Sequence, residues 1–221
     1  YQVGVLKAIA EMLPRGAHNP FPIICGTSAG ALNAATLAVN AQSFRQGVQY
    51  LISISKNFQA GDVYRSDPVG VFSNSVRWLT GLLLSTMGIN KLNRVSLLDN
   101  TPLVNLLNET LPCEKIQESI DGGFLYALSI TASGYGSGQP VTFYQGVKSI
   151  RPWRRARRLG IPARIDAQHL LASAALPFIF PAVRIHREYF GDGSMRQIAP
   201  ISSALHLGAS RVLIIGLGQG G

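Results

Sequence analysis

Apolar residues recur at helical spacing from the first positions of the chain, where Val5, Leu6, Ile9, Met12 and Leu13 fall on one stripe of residues 1–13. Pro14 and Gly16 stop that helix, and the run Phe21-Pro22-Ile23-Ile24-Cys25 predicts an apolar strand. Small, helix-prone residues follow from Ala31 to Ala38. Residues 43–58 predict a helix with Phe44, Val48, Leu51 and Ile52 on one face, and residues 69–87 predict another, opened by Asp67-Pro68. The segment 98–107 combines a capping residue, a proline in the first turn and apolar spacing, and Pro112 ends it. Residues 124–132 and 141–145 are β-rich runs around the turn from Gly134 to Pro140, which predicts a hairpin. A helix near 166–175, partial strand alternation from Val183 to Phe190, and a closing helix and strand over 200–215 complete the series. Helices and strands in this order predict an α/β fold.

Length and composition narrow the picture. The 221 residues, 47% of them hydrophobic, suffice for one sizeable core, and we read residues 1–221 as one domain. No apolar run approaches the roughly 20 residues of a membrane-spanning helix. Leu79 to Met87 is short and broken by Thr80, Gly81, Ser85 and Thr86. Two cysteines are too few for a disulfide framework, and Cys25, in an apolar strand, is expected to be a buried free thiol. An excess of 20 Lys and Arg over 11 Asp and Glu gives +9, a balance that points to anionic partners. Both ends are expected to be cut. The first helix begins with no N-cap or preceding strand, and the strand pattern of Arg211 to Ile215 runs straight into Gly216, Gly218, Gly220 and Gly221.

The chemistry is concentrated at Gly26-Thr27-Ser28-Ala29-Gly30, between the strand and the helix. A serine in so sharp a strand-to-helix turn is a nucleophile elbow, with the glycines removing side chains that would collide in the bend. A serine hydroxyl needs a base to take its proton. Asp192 followed by His206 has the chain order of an α/β-hydrolase triad, but His206 lies in a short helix rather than a loop. His18, His169 and His186 read as structural, the last in an exposed strand beside Arg184 and Arg187. Asp192 stands in the turn Gly191-Asp192-Gly193-Ser194 after a β-rich segment, where a carboxylate can point into a site. Asp121-Gly122-Gly123 is a second Asp-Gly turn, but it precedes a strand-like run instead of following one, which favours Asp192.

Together these residues resemble the patatin-like phospholipases. That family's signature is a Gly-x-Ser-x-Gly elbow with a later Asp-Gly-[Gly/Ala], matched by Gly26 to Gly30 and by Gly191-Asp192-Gly193. The small-residue and proline segment Ala172 to Pro181 is similar to the one that precedes the aspartate in bacterial members. Ser194 departs from the signature, a small change expected to be tolerated. The resemblance implies a three-layer fold whose central mixed, largely parallel sheet is flanked by helices. It implies a Ser28–Asp192 dyad without histidine, metal or cofactor, acting on acyl esters of phospholipids or lysophospholipids. The Ala29 amide would be one oxyanion donor, and the family's first strand and glycine-rich oxyanion loop would lie before Tyr1.

Arg151, Arg154, Arg155, Arg157 and Arg158, with Lys148 upstream and Trp153 among them, form a cationic stretch suited to anionic headgroups or a membrane surface; the plain alternative is a solvated helix face or arginines paired with acids. Trp78-Leu79, Leu82-Leu83-Leu84 and Met87 could line an acyl pocket, although a core helix is the commoner use. The expectation is therefore a cytoplasmic or peripheral membrane enzyme with a lipid partner and no nucleic acid. The alternatives are a carboxylesterase or thioesterase using a Ser28, Asp192 and His206 triad, a catalytically silent membrane-associated scaffold, and a nucleic-acid-binding basic module.

Overall fold

The computed structural model describes residues 1–57, 107, 109–155, 158–176, 180–196 and 201–216. The helix expected over 69–87, most of the one over 98–107, the apolar stretch from Trp78 to Met87, and Arg157 lie outside the described residues.

Helix α1 (Gln2–Met12) leads to strand β1 (Ile23–Thr27), which runs directly into α2 (Ala29–Val39), followed by α3 (Phe44–Asn57). Later come α4 (Lys115–Asp121), β2 (Ala127–Gly134), β3 (Pro140–Gly146), β4 (Trp153–Arg155), β5 (Arg158–Pro162) and α5 (Ala167–Ala174). Strands β6 (Val183–Ile185) and β7 (Glu188–Gly191), one turn of 3-10 helix (Gly193–Met195) and α6 (Ser202–His206) end the order. The seven described strands form one sheet in the order β4-β5-β3-β2-β7-β6, with β1 also pairing on β2.

The sheet is mixed and flanked by helices, as expected. Its balance differs from a largely parallel one. Among the described residues β1 with β2 and β3 with β5 are parallel, whereas β2–β3, β2–β7, β4–β5 and β6–β7 are antiparallel. For three of these four pairs the reason is local: short hairpins, not helical crossovers, join β2 to β3, β4 to β5 and β6 to β7, and a hairpin can only be antiparallel.

Side-chain alternation gives the sheet two faces. Ile24, Leu128, Ile130, Ala132, Val141 and Phe143 point into the main core with α1 to α5, while Ala127, Tyr144 and Leu207 form a small cluster on the other face. Ala31, Ala34, Ala35 and Ala38, all buried, let α2 approach the sheet closely. Helix α5 is set by its N-cap: Asp166 accepts from the His169 amide, and the His169 ring closes a capping box from the other side.

Three expectations change. Arg211 to Ile215 forms no strand; its residues are mostly exposed, and its link to the first helix is a Gln2 side-chain bond to the Ile215 carbonyl. An open groove of about 990 Å³ is lined by this segment and by β1, whose one strand partner among the described residues is β2. Cys25 lines the same groove and is exposed rather than buried. The stretch from Val183 to Phe190 is two strands, with His186 at φ +52° in the turn between them. Cys113 is half-buried, and burial, reinforced by the Asp166 and Glu114 carboxylates, pushes its thiol up to about 11.

Asp166→Ala removes the N-cap of α5 and is expected to cost about 1 kcal/mol. Thermal unfolding should show a Tm lower by about 2–4 °C, as for a chain of this size.

Candidate active site

Ser28 occupies the single residue between β1 and α2. Its backbone sits at φ +55° and ψ −132°, a combination costing a non-glycine residue about 1–3 kcal/mol. That strain turns the side chain out of the strand. Gly26 explains how the chain folds back so tightly: a Cβ there would lie 2.6 Å from the Gly30 carbonyl oxygen and 2.7 Å from the Ala34 Cβ. Gly30 is less constrained, since a Cβ at that position would make only ordinary contacts with the Gln2 side chain.

The elbow is held from the opposite side by a residue the sequence reading passed over. Ser173 of α5, fully buried, accepts the Ser28 amide at 2.9 Å and donates to the Thr131 carbonyl of β2 at 2.6 Å. One hydroxyl thus ties the turn to both a helix and the central strand. No hydrogen bond among the described residues takes the next amide, that of Ala29, which is exposed at the N-terminus of α2.

Strand β7 brings in the acid. Gly191 pairs with Ser133 of β2, and Asp192 follows it, completely buried, with its amide donating to the Ala175 carbonyl at 2.8 Å. Gly193 is a steric requirement, and Gly191 leaves room for the Tyr135 side chain. A Cβ at Gly191 would meet the Tyr135 hydroxyl at 2.4 Å, and one at Gly193 would lie 2.0 Å from the Thr131 carbonyl oxygen.

Across this junction the Ser28 hydroxyl donates to Asp192 Oδ2 at 2.6 Å. The other carboxylate oxygen, Oδ1, accepts the Ser194 amide at 2.8 Å and the Ser194 hydroxyl at 2.5 Å. A buried carboxylate needs such donors, and here three of its acceptor sites are filled. Ser194 is therefore more than a tolerated departure: its hydroxyl grips the carboxylate that receives Ser28.

None of the four histidines reaches this pair. His206 Nδ1 is engaged with the Ser202 carbonyl at 2.7 Å, and its ring stacks on Trp153 with centroids 5.0 Å apart. His169 is bonded to Asp166 at 2.7 Å, His18 to the Gln42 carbonyl at 2.7 Å, and His186 is exposed at a turn. Asp121 ends α4, exposed, at the far end of β2 from Ser28. The groove beside β1 touches Gly26, Thr27 and Gly30 but neither Ser28 nor Asp192.

With the geometry in place, comparison with known proteins gives one decisive result: the profile of the patatin-like phospholipases matches residues 1–205. The chain belongs to the patatin-like phospholipase family. No curated protein matches it. Membership identifies a domain of the lipid acyl hydrolases, whose substrates are lipid esters. The match spans both the patatin-like elbow at Ser28 and the acid turn at Asp192.

The arginine stretch is neither a helix nor a single cluster. Trp153–Arg155 and Arg158–Pro162 are the two strands of a hairpin, with Arg154, Arg155 and Arg158 exposed on it and Arg151 preceding it.

Ser173→Ala strands the Ser28 amide and the Thr131 carbonyl, and chemical denaturation should register a loss of about 1–3 kcal/mol. Ser194→Ala leaves Oδ1 with a single donor. Because Ser194 is exposed, the expected signature is a kcat for ester hydrolysis about tenfold lower with little change in Tm.

Proposed function

We propose that this patatin-like chain is a serine acyl hydrolase that cleaves acyl esters of phospholipids or lysophospholipids through an acyl-enzyme, with Ser28 as nucleophile and Asp192 as its base. The 2.6 Å hydrogen bond from the Ser28 hydroxyl to Asp192 Oδ2, with no imidazole between them, carries the reading.

Ser28 Oγ attacks the ester carbonyl carbon while its proton passes to Asp192 Oδ2. Negative charge develops on the carbonyl oxygen, and the Ala29 amide at the positive end of the α2 dipole is placed to receive it. The carbon–oxygen bond to the alcohol breaks, and the alcohol leaves with the proton from Asp192. Water then attacks the acyl carbon, giving a proton to the same carboxylate, and Asp192 passes that proton to Ser28 Oγ as the bond to the acyl group breaks and the fatty acid departs. Gly26 and Gly30 frame the nucleophile, and Gly191 and Gly193 let the acid turn pack beside it. No metal or cofactor takes part in this scheme.

A triad esterase built on His206 fits less well, because that ring is already bonded to Ser202 and stacked on Trp153. A catalytically silent scaffold would leave the strained φ at Ser28 and the direct contact with Asp192 without use.

In the full-length protein, hydrolysis of a short-chain fluorogenic ester and covalent capture by a fluorophosphonate test the proposal. Wild type should turn over the ester and carry the label on the peptide containing Ser28. Ser28→Ala should lose labelling and at least about 10³-fold in kcat. Unchanged turnover in that variant, or a wild type that neither reacts nor labels, would overturn the assignment.

A further inference from the structure

The strand register decides which of the basic residues share an edge with the dyad. Ser28 lies at the C-terminal end of β1, and β2 runs parallel to β1, so the dyad opens at the rim where β2 ends. Across the sheet Leu159 pairs with Val141, and Val141 with Ala132. One step closer to that rim lie Arg158, Pro140 and Ser133, and Ser133 pairs with Gly191, the neighbour of Asp192. Three strand spacings separate Arg158 from Gly191, about 14 Å. The paired ends of β4 and β5, Arg155 and Arg158, therefore lie at the catalytic rim. Lys148 and Arg151, although close in sequence, belong to the opposite end, beyond the last residue of β3 and before the first of β4.

At the hairpin tip Arg155 and Arg158 are directly paired across the two strands, both exposed. Like charges facing each other on one side of a two-stranded ladder repel and cost stability. The ion pairs among the described residues are Lys7 with Glu11 and Asp166 with His169, so neither arginine has a carboxylate partner there. The rim's Glu188 is taken by the Ser137 amide. An unneutralised arginine pair fits an external anion.

Apolar side chains are exposed around the same mouth. Leu176, 40% exposed, follows the Ala175 carbonyl that holds the Asp192 amide. Met195, 53% exposed, donates its amide to the Asp192 carbonyl, and Tyr135, 41% exposed, packs its hydroxyl against Gly191. Cations beside exposed apolar groups match the two layers of an anionic bilayer surface, phosphates outside and acyl chains beneath.

We propose that the catalytic rim is the membrane-docking surface: Arg155 and Arg158 bind lipid phosphates while Leu176 and Met195 dip between headgroups, so that the dyad faces the bilayer. This rests on the lipid hydrolase reading, and it assigns docking to one part of the basic stretch and denies it to another.

The test measures binding without turnover, in full-length protein carrying Ser28→Ala, by co-sedimentation with vesicles of phosphatidylcholine alone or mixed with phosphatidylglycerol. Binding should require the anionic lipid and fall with added salt. Arg155→Glu/Arg158→Glu should weaken partitioning by on the order of 30-fold or more. Lys148→Glu/Arg151→Glu, an identical charge change at the opposite end, should bind as the parent does. Thermal melting checks that both variants fold, and Leu176→Ser/Met195→Ser, which leaves the charge untouched, should also weaken binding. Equal loss from both charge variants would overturn the proposal, as would no loss from the rim pair, or retention of an RNA oligomer through Arg155 and Arg158 with no vesicle binding. Ester turnover by the dyad is read separately in protein with Ser28 intact, so failure of docking and failure of catalysis are distinguishable.

Discussion

A buried carboxylate that accepts the hydroxyl of a strained serine is the constraint around which this molecule is arranged. Asp192 has no exposed surface, and an unpaired charge in such a place would be costly. Its solution is a set of three donors, one from Ser28 and two from Ser194. Ser28 in turn holds a positive φ that only surrounding structure can enforce. Neither residue could keep its position alone.

The enforcing structure converges from distant parts of the chain. Strand β1 delivers Ser28 beside β2, and α2 takes the chain away at once over a surface of small residues. Strand β7 delivers Asp192 along the same edge of β2, just beyond the end of β1 and opposite β3, 164 residues later. Ser173 closes the gap, since its hydroxyl reaches both the elbow and Thr131. Central strand β2 is buried along its whole length, which keeps the two halves of the site in register. The same register brings Arg155 and Arg158 to the rim that carries Ser28 and Asp192.

Local chemistry was the legible part in sequence. Gly26 and Ser28 announced the elbow because a bend that sharp admits few residue types, and Gly191-Asp192-Gly193 announced a turn for the same reason. Helices with a clear apolar face, such as α1 and α3, were found within a residue or two. Long-range geometry was not legible. Ser173 sits among alanines and looks like any small helical residue until the fold places it under Ser28. Ser194 reads as a neutral exchange, because nothing local says its hydroxyl turns back to Asp192. The basic stretch suggested one cluster, since spacing along the chain cannot reveal that a hairpin sends Arg155 and Arg158 to one end and leaves Arg151 at the other. Arg211 to Ile215 has the composition of a strand, but a strand also needs a neighbouring backbone.

The account depends on Asp192, and not an imidazole, receiving the Ser28 proton, and turnover of a soluble ester by Asp192→Asn and His206→Ala measures that directly. An amide at Asp192 keeps the shape of the group but cannot act as the base, so kcat should fall by about 10²–10⁴-fold with the fold intact by thermal melting. His206→Ala should remain close to wild type. The reverse pattern, a silent His206→Ala beside an active Asp192→Asn, would contradict the direct Ser–Asp mechanism.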